Sequence, residues 1–218
     1  MPLELLYKYC EAAREILTGK NAVGRVIARP FIGKDGQYTR TPNRRDFSLK
    51  PPRRTLLDAL SYAGLDTIGV GKIRDIFAGV GISEAILTHG NKEGMTVAES
   101  LTERDFSGLC FVNLVDFDSL FGHRQDTDGY AAALSEFDLW LSGFIKKLRD
   151  DDHLIITADH GCDPGDDSTD HTREYVPFIH YSKSICAKNY GTVSGFSYVA
   201  NTVADILGVD YRGEKDES

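Results

Sequence analysis

The sequence lacks the features expected of membrane and secreted proteins. No apolar run approaches the roughly 20 residues that a membrane-spanning helix needs. Residues 1–6 contain neither a basic segment nor a cleavage site, so we expect no signal peptide. The four cysteines are scattered without a CxxC pair: Cys10, Cys110, Cys162 and Cys186. This scatter favours reduced thiols in a cytoplasmic protein.

Positive charge is also scarce. The chain has 25 Lys and Arg against 33 Asp and Glu, which gives a net charge of -8 at pH 7. Such a balance argues against a nucleic-acid partner, and we expect no membrane partner either. The 41% hydrophobic content is ordinary, so 218 residues can bury a core as one large domain or one and a half.

Hydrophobic spacing predicts helices that alternate with strands. Helices are predicted at 3–17, 55–62, 97–101, 130–148 (with Asp128 as N-cap) and 198–207, and strands at 24–33 (broken by Pro30), 66–72, 109–115, 154–158 and 175–181. Residues 33–55 are turn-rich and are predicted to form a linker or a long functional loop, and 214–218 a polar tail. The alternation indicates an α/β fold with a mostly parallel sheet flanked by helices.

Acidic and histidine side chains follow two of the predicted strands. Asp159 and His160 come after the strand at 154–158, with Asp170 and His171 about ten residues on; Asp116, Asp118 and His123 come after the strand at 109–115. Carboxylate and imidazole ligands without thiolate suit hard to intermediate divalent metals. Because ligand sites form beyond the carboxyl ends of parallel strands, we predict one two-metal phosphoryl-transfer site. The alternative is a helix cap beside a surface histidine.

Basic residues cluster at 40–54, where Arg40, Arg44, Arg45, Lys50, Arg53 and Arg54 occur. They could form a solvated loop. The functional interpretation is an anion site, since arginine binds phosphate oxygens in bidentate fashion.

Several motifs together resemble one family. They are Asn113-Leu114-Val115-Asp116-Phe117-Asp118, Phe121-Gly122-His123-Arg124, Thr157-Ala158-Asp159-His160-Gly161 and Thr169-Asp170-His171-Thr172-Arg173-Glu174-Tyr175-Val176-Pro177. The upstream segments 24–31, 39–44 and 68–73 share the resemblance. The chain is similar over its whole length to phosphopentomutase, of the alkaline phosphatase superfamily.

The resemblance implies an isomerase that interconverts ribose 1-phosphate and ribose 5-phosphate, and the deoxyribose equivalents. It implies a phosphothreonine enzyme, a bisphosphate intermediate and a sugar bisphosphate activator. Two Mn²⁺ ions are implied, one held by Asp118, His123 and His171, and the other partly by Asp159 and His160. Arg25, Arg40 and Lys72 would bind the distal phosphate of the pentose phosphate.

The resemblance also implies that members of the family are longer at the N-terminus. Their first strand carries a metal-binding aspartate, and the nucleophilic threonine follows it, so we expect this chain alone to be inactive. Residues 1–48 would be the C-terminal part of an α+β cap domain, and 49–218 the C-terminal part of the metal-binding core. A missing N-terminal half would then be a partner. Two alternatives are a metal-dependent phosphatase or phosphodiesterase of the same superfamily and a non-catalytic sugar-phosphate-binding fragment.

Overall fold

The computed structural model describes residues 1–213, so the tail predicted at 214–218 lies outside the described residues. The helices are α1 (Leu3–Ile16), α2 (Leu56–Tyr62), α3 (Ile73–Ile76), α4 (Asn91–Leu101), α5 (Thr127–Lys147) and α6 (Ser197–Leu207). The strands are β1 (Arg25–Ala28), β2 (Phe31–Lys34), β3 (Gln37–Arg40), β4 (Arg45–Ser48), β5 (Asp66–Val70), β6 (Glu84–Ile86), β7 (Gly108–Val112), β8 (Leu154–Thr157) and β9 (Phe178–Tyr181). Between β7 and α5 lies a π-helical turn, Phe117–Gly122.

The first 48 residues form two small antiparallel pairs, β1 with β4 and β2 with β3. Helix α1 packs on the β1–β4 pair, where Phe47 meets Tyr7 at a ring distance of 6.3 Å and the Arg45 guanidinium lies 4.7 Å from the Phe47 ring. The prediction of a linker or loop over 33–55 was therefore wrong for β3 and β4. Pairing with β1 and packing on α1 order β4, and the hairpin with β2 orders β3, within a segment whose own sequence is turn-rich.

The core contains a parallel sheet in the order β6-β5-β7. Strand β5 lies in its centre and is buried from Thr67 to Val70. Thr67 is only 1% exposed, and its hydroxyl donates to the Gly81 carbonyl at 2.6 Å, so burial leaves it satisfied. This parallel sheet with flanking helices confirms the predicted α/β class.

The N-cap of helix α5 lies two residues earlier than predicted. Asp126, not Asp128, is the N-cap, and its carboxylate accepts from the Gly129 N–H at 2.9 Å. The prediction failed because an aspartate can cap from either position, and the preceding π-helical turn fixes the chain so that Asp126 has non-helical dihedral angles.

Helices pack on both faces of β7 and β8, although no hydrogen-bonded ladder joins these two strands within residues 1–213. On one face Val112 of β7 and Leu154 of β8 pack on the same cluster around Phe144. On the other face Leu109 and Ile155 pack on the cluster around Leu60. Strand β8 pairs instead with β9, in antiparallel fashion. The segments that follow the carboxyl ends of β7 and β8 carry the predicted metal ligands.

The described part of the chain, residues 1–213, has no helix that is both long and apolar enough to cross a membrane.

Candidate metal centre

The π-helical turn after β7 positions the first two candidate ligands. Asp118 lies in its first turn, and the His123 N–H donates to the Asp118 carbonyl at 3.0 Å. This bond closes the turn, so that the His123 Nε2 comes within 3.2 Å of the Asp118 Oδ1. The local fold therefore brings together two side chains that are five positions apart in sequence.

The loop after β8 supplies the remaining candidates. His160 follows the strand, and the chain returns so that Gly161 and Thr172 form an isolated antiparallel bridge. The bridge places the rings of His160 and His171 in a parallel stack with centroids 3.5 Å apart. A Cβ atom at Gly161 would lie 2.7 Å from the Thr172 carbonyl oxygen, so only glycine permits this approach.

These elements converge on one group of ligand atoms. Asp118, His160 and His171 each offer an atom, and all three atoms lie within 4.8 Å of one another. The His171 Nε2 is 3.3 Å from the Asp118 Oδ1. Asp159 lies at the edge of the group, with its Oδ1 3.5 Å from the His160 Nε2 and its side chain 78% exposed. The five predicted ligands are thus neighbours.

The polarity of these contacts fits a bound cation. The His123 Nδ1 lies 2.5 Å from the Thr169 carbonyl oxygen, which can only accept, so Nδ1 carries the proton. In the neutral imidazole the Nε2 lone pair then faces the Asp118 carboxylate, which is also an acceptor. The Asp118 Oδ1 is buried and has no hydrogen-bond donor within the described residues. A divalent metal between these acceptor atoms would satisfy the buried oxygen and the nitrogen lone pair together.

His160 is oriented in the same way as His123. Its Nδ1 lies 3.0 Å from the Gly161 carbonyl oxygen, which leaves Nε2 as the free lone pair. Backbone carbonyls that fix the tautomer of a metal-binding imidazole are common partners in such sites.

Cys162 lies beside the group, in surroundings that disfavour a thiolate while no metal is bound. Burial raises the pKa of the Cys162 thiol, and the nearby carboxylates of Asp118, Asp163 and Glu174 raise it further. The thiol therefore stays protonated at neutral pH, and its sulfur packs against Gly122, where a Cβ would overlap it.

The three predicted phosphate-binding residues lie on the first two strand pairs and on α3. Arg25 is opposite Ser48 in the β1–β4 register, and the Ser48 hydroxyl donates to the Asp75 carbonyl of α3 at 2.6 Å. Lys72 is exposed at the N-cap of α3, so Arg25 and Lys72 lie on adjoining elements. Arg40 is exposed at the end of β3 in the separate β2–β3 hairpin.

Sequence reasoning missed the groups that support the ligands. It grouped Asp116 with Asp118, but the structure turns the Asp116 carboxylate towards Asn91 at the start of α4. It also missed the Thr169 carbonyl. A backbone carbonyl leaves no sequence signal, and Asn91 lies 25 residues from Asp116.

Comparison with known proteins places the chain among metal-dependent enzymes. Residues 41–211 match the model of the Metalloenzyme superfamily. The chain is 50% identical over 213 residues to the phosphopentomutase of Lachnoclostridium phytofermentans, an alignment that covers 97% of this chain and 55% of the relative. It is 53% identical over 210 residues to the phosphopentomutase of Acetivibrio thermocellus, which covers 96% of this chain and 54% of the relative.

These relatives confirm the resemblance drawn from the motifs, and the chain spans about half of their length. The family implies dependence on a divalent metal, which agrees with the group around Asp118. The superfamily match covers well over half of the chain, and the chain therefore belongs to the Metalloenzyme superfamily.

Proposed function

We propose that this chain is the part of a phosphopentomutase that holds most of a two-metal centre and binds the distal phosphate of a pentose phosphate. The reaction is the interconversion of ribose 1-phosphate and ribose 5-phosphate, and of the deoxyribose equivalents. The observation that carries the proposal is the buried Asp118 Oδ1, which accepts no hydrogen bond among the described residues 1–213 and has the Nε2 atoms of His123 and His171 within 3.3 Å. The phosphopentomutase relatives support the choice of reaction.

Asp118, His123 and His171 would hold one Mn²⁺, and Asp159 and His160 would help to hold the second. Bound metals would neutralise charge on the transferred phosphoryl group and orient its acceptor. The carbonyls of Thr169 and Gly161 keep the two Nδ1 protons in place, so that each Nε2 remains available as a ligand. We propose that a phosphothreonine in the part of the enzyme that this chain does not cover carries the phosphoryl group, with a sugar bisphosphate as intermediate and activator.

Arg25, Arg40 and Lys72 would bind the distal phosphate. Arg25 suits this role because its own ion pair is loose: its Nη1 lies 3.6 Å from Asp46, whose two carboxylate oxygens already accept from Arg44 at 2.8 and 2.9 Å. Arg44 thus neutralises Asp46, and the half-exposed Arg25 guanidinium keeps donors for a phosphate.

The proposal includes a division of the chain and a cellular setting. Residues 1–48 would belong to a cap domain and residues 49–218 to the metal-binding core. The scattered free thiols and the absence of a membrane-spanning helix within residues 1–213 support a cytoplasmic protein.

The first test is complementation. The purified 218-residue chain should show no measurable conversion of ribose 1-phosphate to ribose 5-phosphate. Addition of the portion of the Acetivibrio thermocellus enzyme that this chain does not cover should restore Mn²⁺-dependent conversion. Efficient hydrolysis of generic phosphate esters by the complex, without isomerisation, would instead support the phosphatase alternative.

The second test is ligand binding by calorimetry. Arg25→Ala should weaken ribose 5-phosphate binding about 10- to 100-fold, as expected for the loss of a charge-assisted bidentate contact. Arg29→Ala removes an equal charge from an exposed position just beyond β1 and should leave binding unchanged. Equal losses in the two variants would contradict a specific role for Arg25. Binding that survives metal chelation would favour the non-catalytic alternative.

A further inference from the structure

Asp116 is a candidate for a role that differs from that of its neighbour Asp118. Its carboxylate oxygen Oδ2 accepts from the Asn91 backbone N–H at 2.6 Å. In return the Asp116 backbone N–H donates to the Asn91 side-chain oxygen at 2.9 Å. These two reciprocal hydrogen bonds join the segment after β7 to the first residue of α4, and we call them the Asp116–Asn91 clamp.

The two segments that the clamp joins approach each other closely. Asn91 is only 8% exposed. The residue before it, Gly90, is the N-cap of α4 and has no side chain with which to cap the helix. A Cβ at Gly90 would lie 2.7 Å from the Asp116 Oδ2, so glycine is needed for the carboxylate to reach the helix terminus. Asp116 therefore satisfies a terminal N–H of α4 from a distant segment.

The two ends of the clamp differ in what they carry. Helix α4 is anchored in the core through Met95, Ala98 and Leu101, which are all buried. On the other side, Asp116 precedes the π-helical turn, and the Ser119 N–H and hydroxyl both bond the Val115 carbonyl. The residue just before the turn that carries Asp118 is thus bonded to a helix that is anchored in the core.

Asp118 needs such support from its backbone. Its Oδ1 lies within 3.3 Å of the Nε2 atoms of His123 and His171 but accepts no hydrogen bond among residues 1–213. The backbone on either side of Asp118 therefore contributes to the preorganisation of the ligand. On the following side this is the bond from His123 to the Asp118 carbonyl, and on the preceding side it is the clamp.

We infer that Asp116 is a positioning residue of the metal centre, which acts through Asn91 to hold Asp118 ready for a divalent cation. This inference rests on the proposed function for its metal. It requires the geometry of the two hydrogen bonds and not the charge of Asp116 near the metal.

The test uses three variants of the full chain: Asp116→Ala, Asn91→Ala and Asp116→Asn. Co²⁺ affinity is measured from its visible absorption, and amide exchange over residues 117–123 is measured without metal. Asp116→Ala and Asn91→Ala each remove one acceptor of the clamp and should bind Co²⁺ about 10- to 100-fold more weakly, as for other groups that support metal ligands. In both variants, exchange at the His123 amide should be faster.

Asp116→Asn separates geometry from charge. It keeps an oxygen that can accept from the Asn91 backbone N–H, and it should bind Co²⁺ nearly as well as the unmodified chain. Asp138→Ala, at an exposed position of α5, is the matched control and should change nothing.

The inference is overturned if Asp116→Ala leaves both affinity and exchange unchanged, or if Asp116→Asn is no better than Asp116→Ala. Failure of the unmodified chain to bind Co²⁺ would instead contradict the proposed metal centre. In that case amide exchange still decides whether the clamp holds the turn.

Discussion

Replacement of Asp118 by Asn should change stability in opposite directions with and without metal. In the metal-free chain the Asp118 Oδ1 is buried, accepts no hydrogen bond within residues 1–213, and lies 3.2 and 3.3 Å from the Nε2 atoms of His123 and His171. The amide of Asp118→Asn is nearly the same size and can donate to one of these nitrogens. The variant should therefore gain stability when no metal is present.

The magnitude follows from the cost of an unsatisfied polar atom, about 1–3 kcal/mol when fully buried. The Asp118 side chain is 36% exposed as a whole, so we expect the lower end, about 1 kcal/mol. For a chain of this size that corresponds to a rise of about 2–4 °C in the melting temperature. With metal the sign reverses, since a cation at 100 times its dissociation constant adds about 2.7 kcal/mol to a chain that binds it.

Urea unfolding followed by circular dichroism, in EDTA and in excess Mn²⁺, measures both effects. Asp128→Asn removes an equal charge from an exposed position in the first turn of α5 and is the control. The reasoning is refuted if Asp118→Asn destabilises the metal-free chain, or if Mn²⁺ stabilises it as much as it stabilises the unmodified chain.

Three further predictions concern packing and pH. Gly122→Ala should lower the free energy of unfolding by about 1–3 kcal/mol because its Cβ would overlap the Cys162 sulfur, whereas Gly143→Ala, in open space on α5, should raise it by about 0.5–1 kcal/mol in the same denaturation assay. Leu60→Ala, at a fully buried position, should cost about 2–5 kcal/mol in that assay, and Leu139→Ala, 77% exposed, less than about 0.5 kcal/mol. Burial, and then the charge of His153, lower the pKa of His180 below 6.5, so the unfolded chain binds more protons there and stability should fall as the pH drops below that value; a titration of His180→Gln with a weaker pH dependence would confirm this, and an unchanged one would contradict it.

The sequence was a good guide where a signal is local. The spacing of apolar residues located α1, α2 and α6 to within a residue or two at most of their ends. The positions of Asp118 and His160 after apolar strands predicted that they meet, and the structure brings them together although no ladder joins β7 and β8 within residues 1–213. That inference needed only the period of the pattern and the chemistry of the side chains.

The sequence was a poor guide where the determinant is distant. Strand β4 was predicted as loop because its order comes from pairing with β1, about twenty residues earlier. Asp116 and Asp118 look equivalent in sequence, yet a rotation of two positions along a helical turn sends one carboxylate to α4 and the other to the ligand group. Which of two nearby acids binds a metal therefore depends on a partner, Asn91, that no spacing rule relates to them.

Strand β7 shows most directly why the strand order of a sheet cannot be predicted from the strand sequences alone. The apolar run at 109–115 was predicted as a strand, and β7 is only half-buried, with Phe111 38% exposed, whereas β5, with a strand on each side, is buried along four residues. Side-chain hydrophobicity reports which faces helices will cover, and α2, α4, α5 and α6 do cover both faces here. It does not show which strand pairs with which, because nearly every residue offers the same backbone N–H and C=O groups to a neighbouring strand. The burial of a strand is thus a property of its neighbours in the sheet, and only the three-dimensional structure shows that β7 has one such neighbour within residues 1–213.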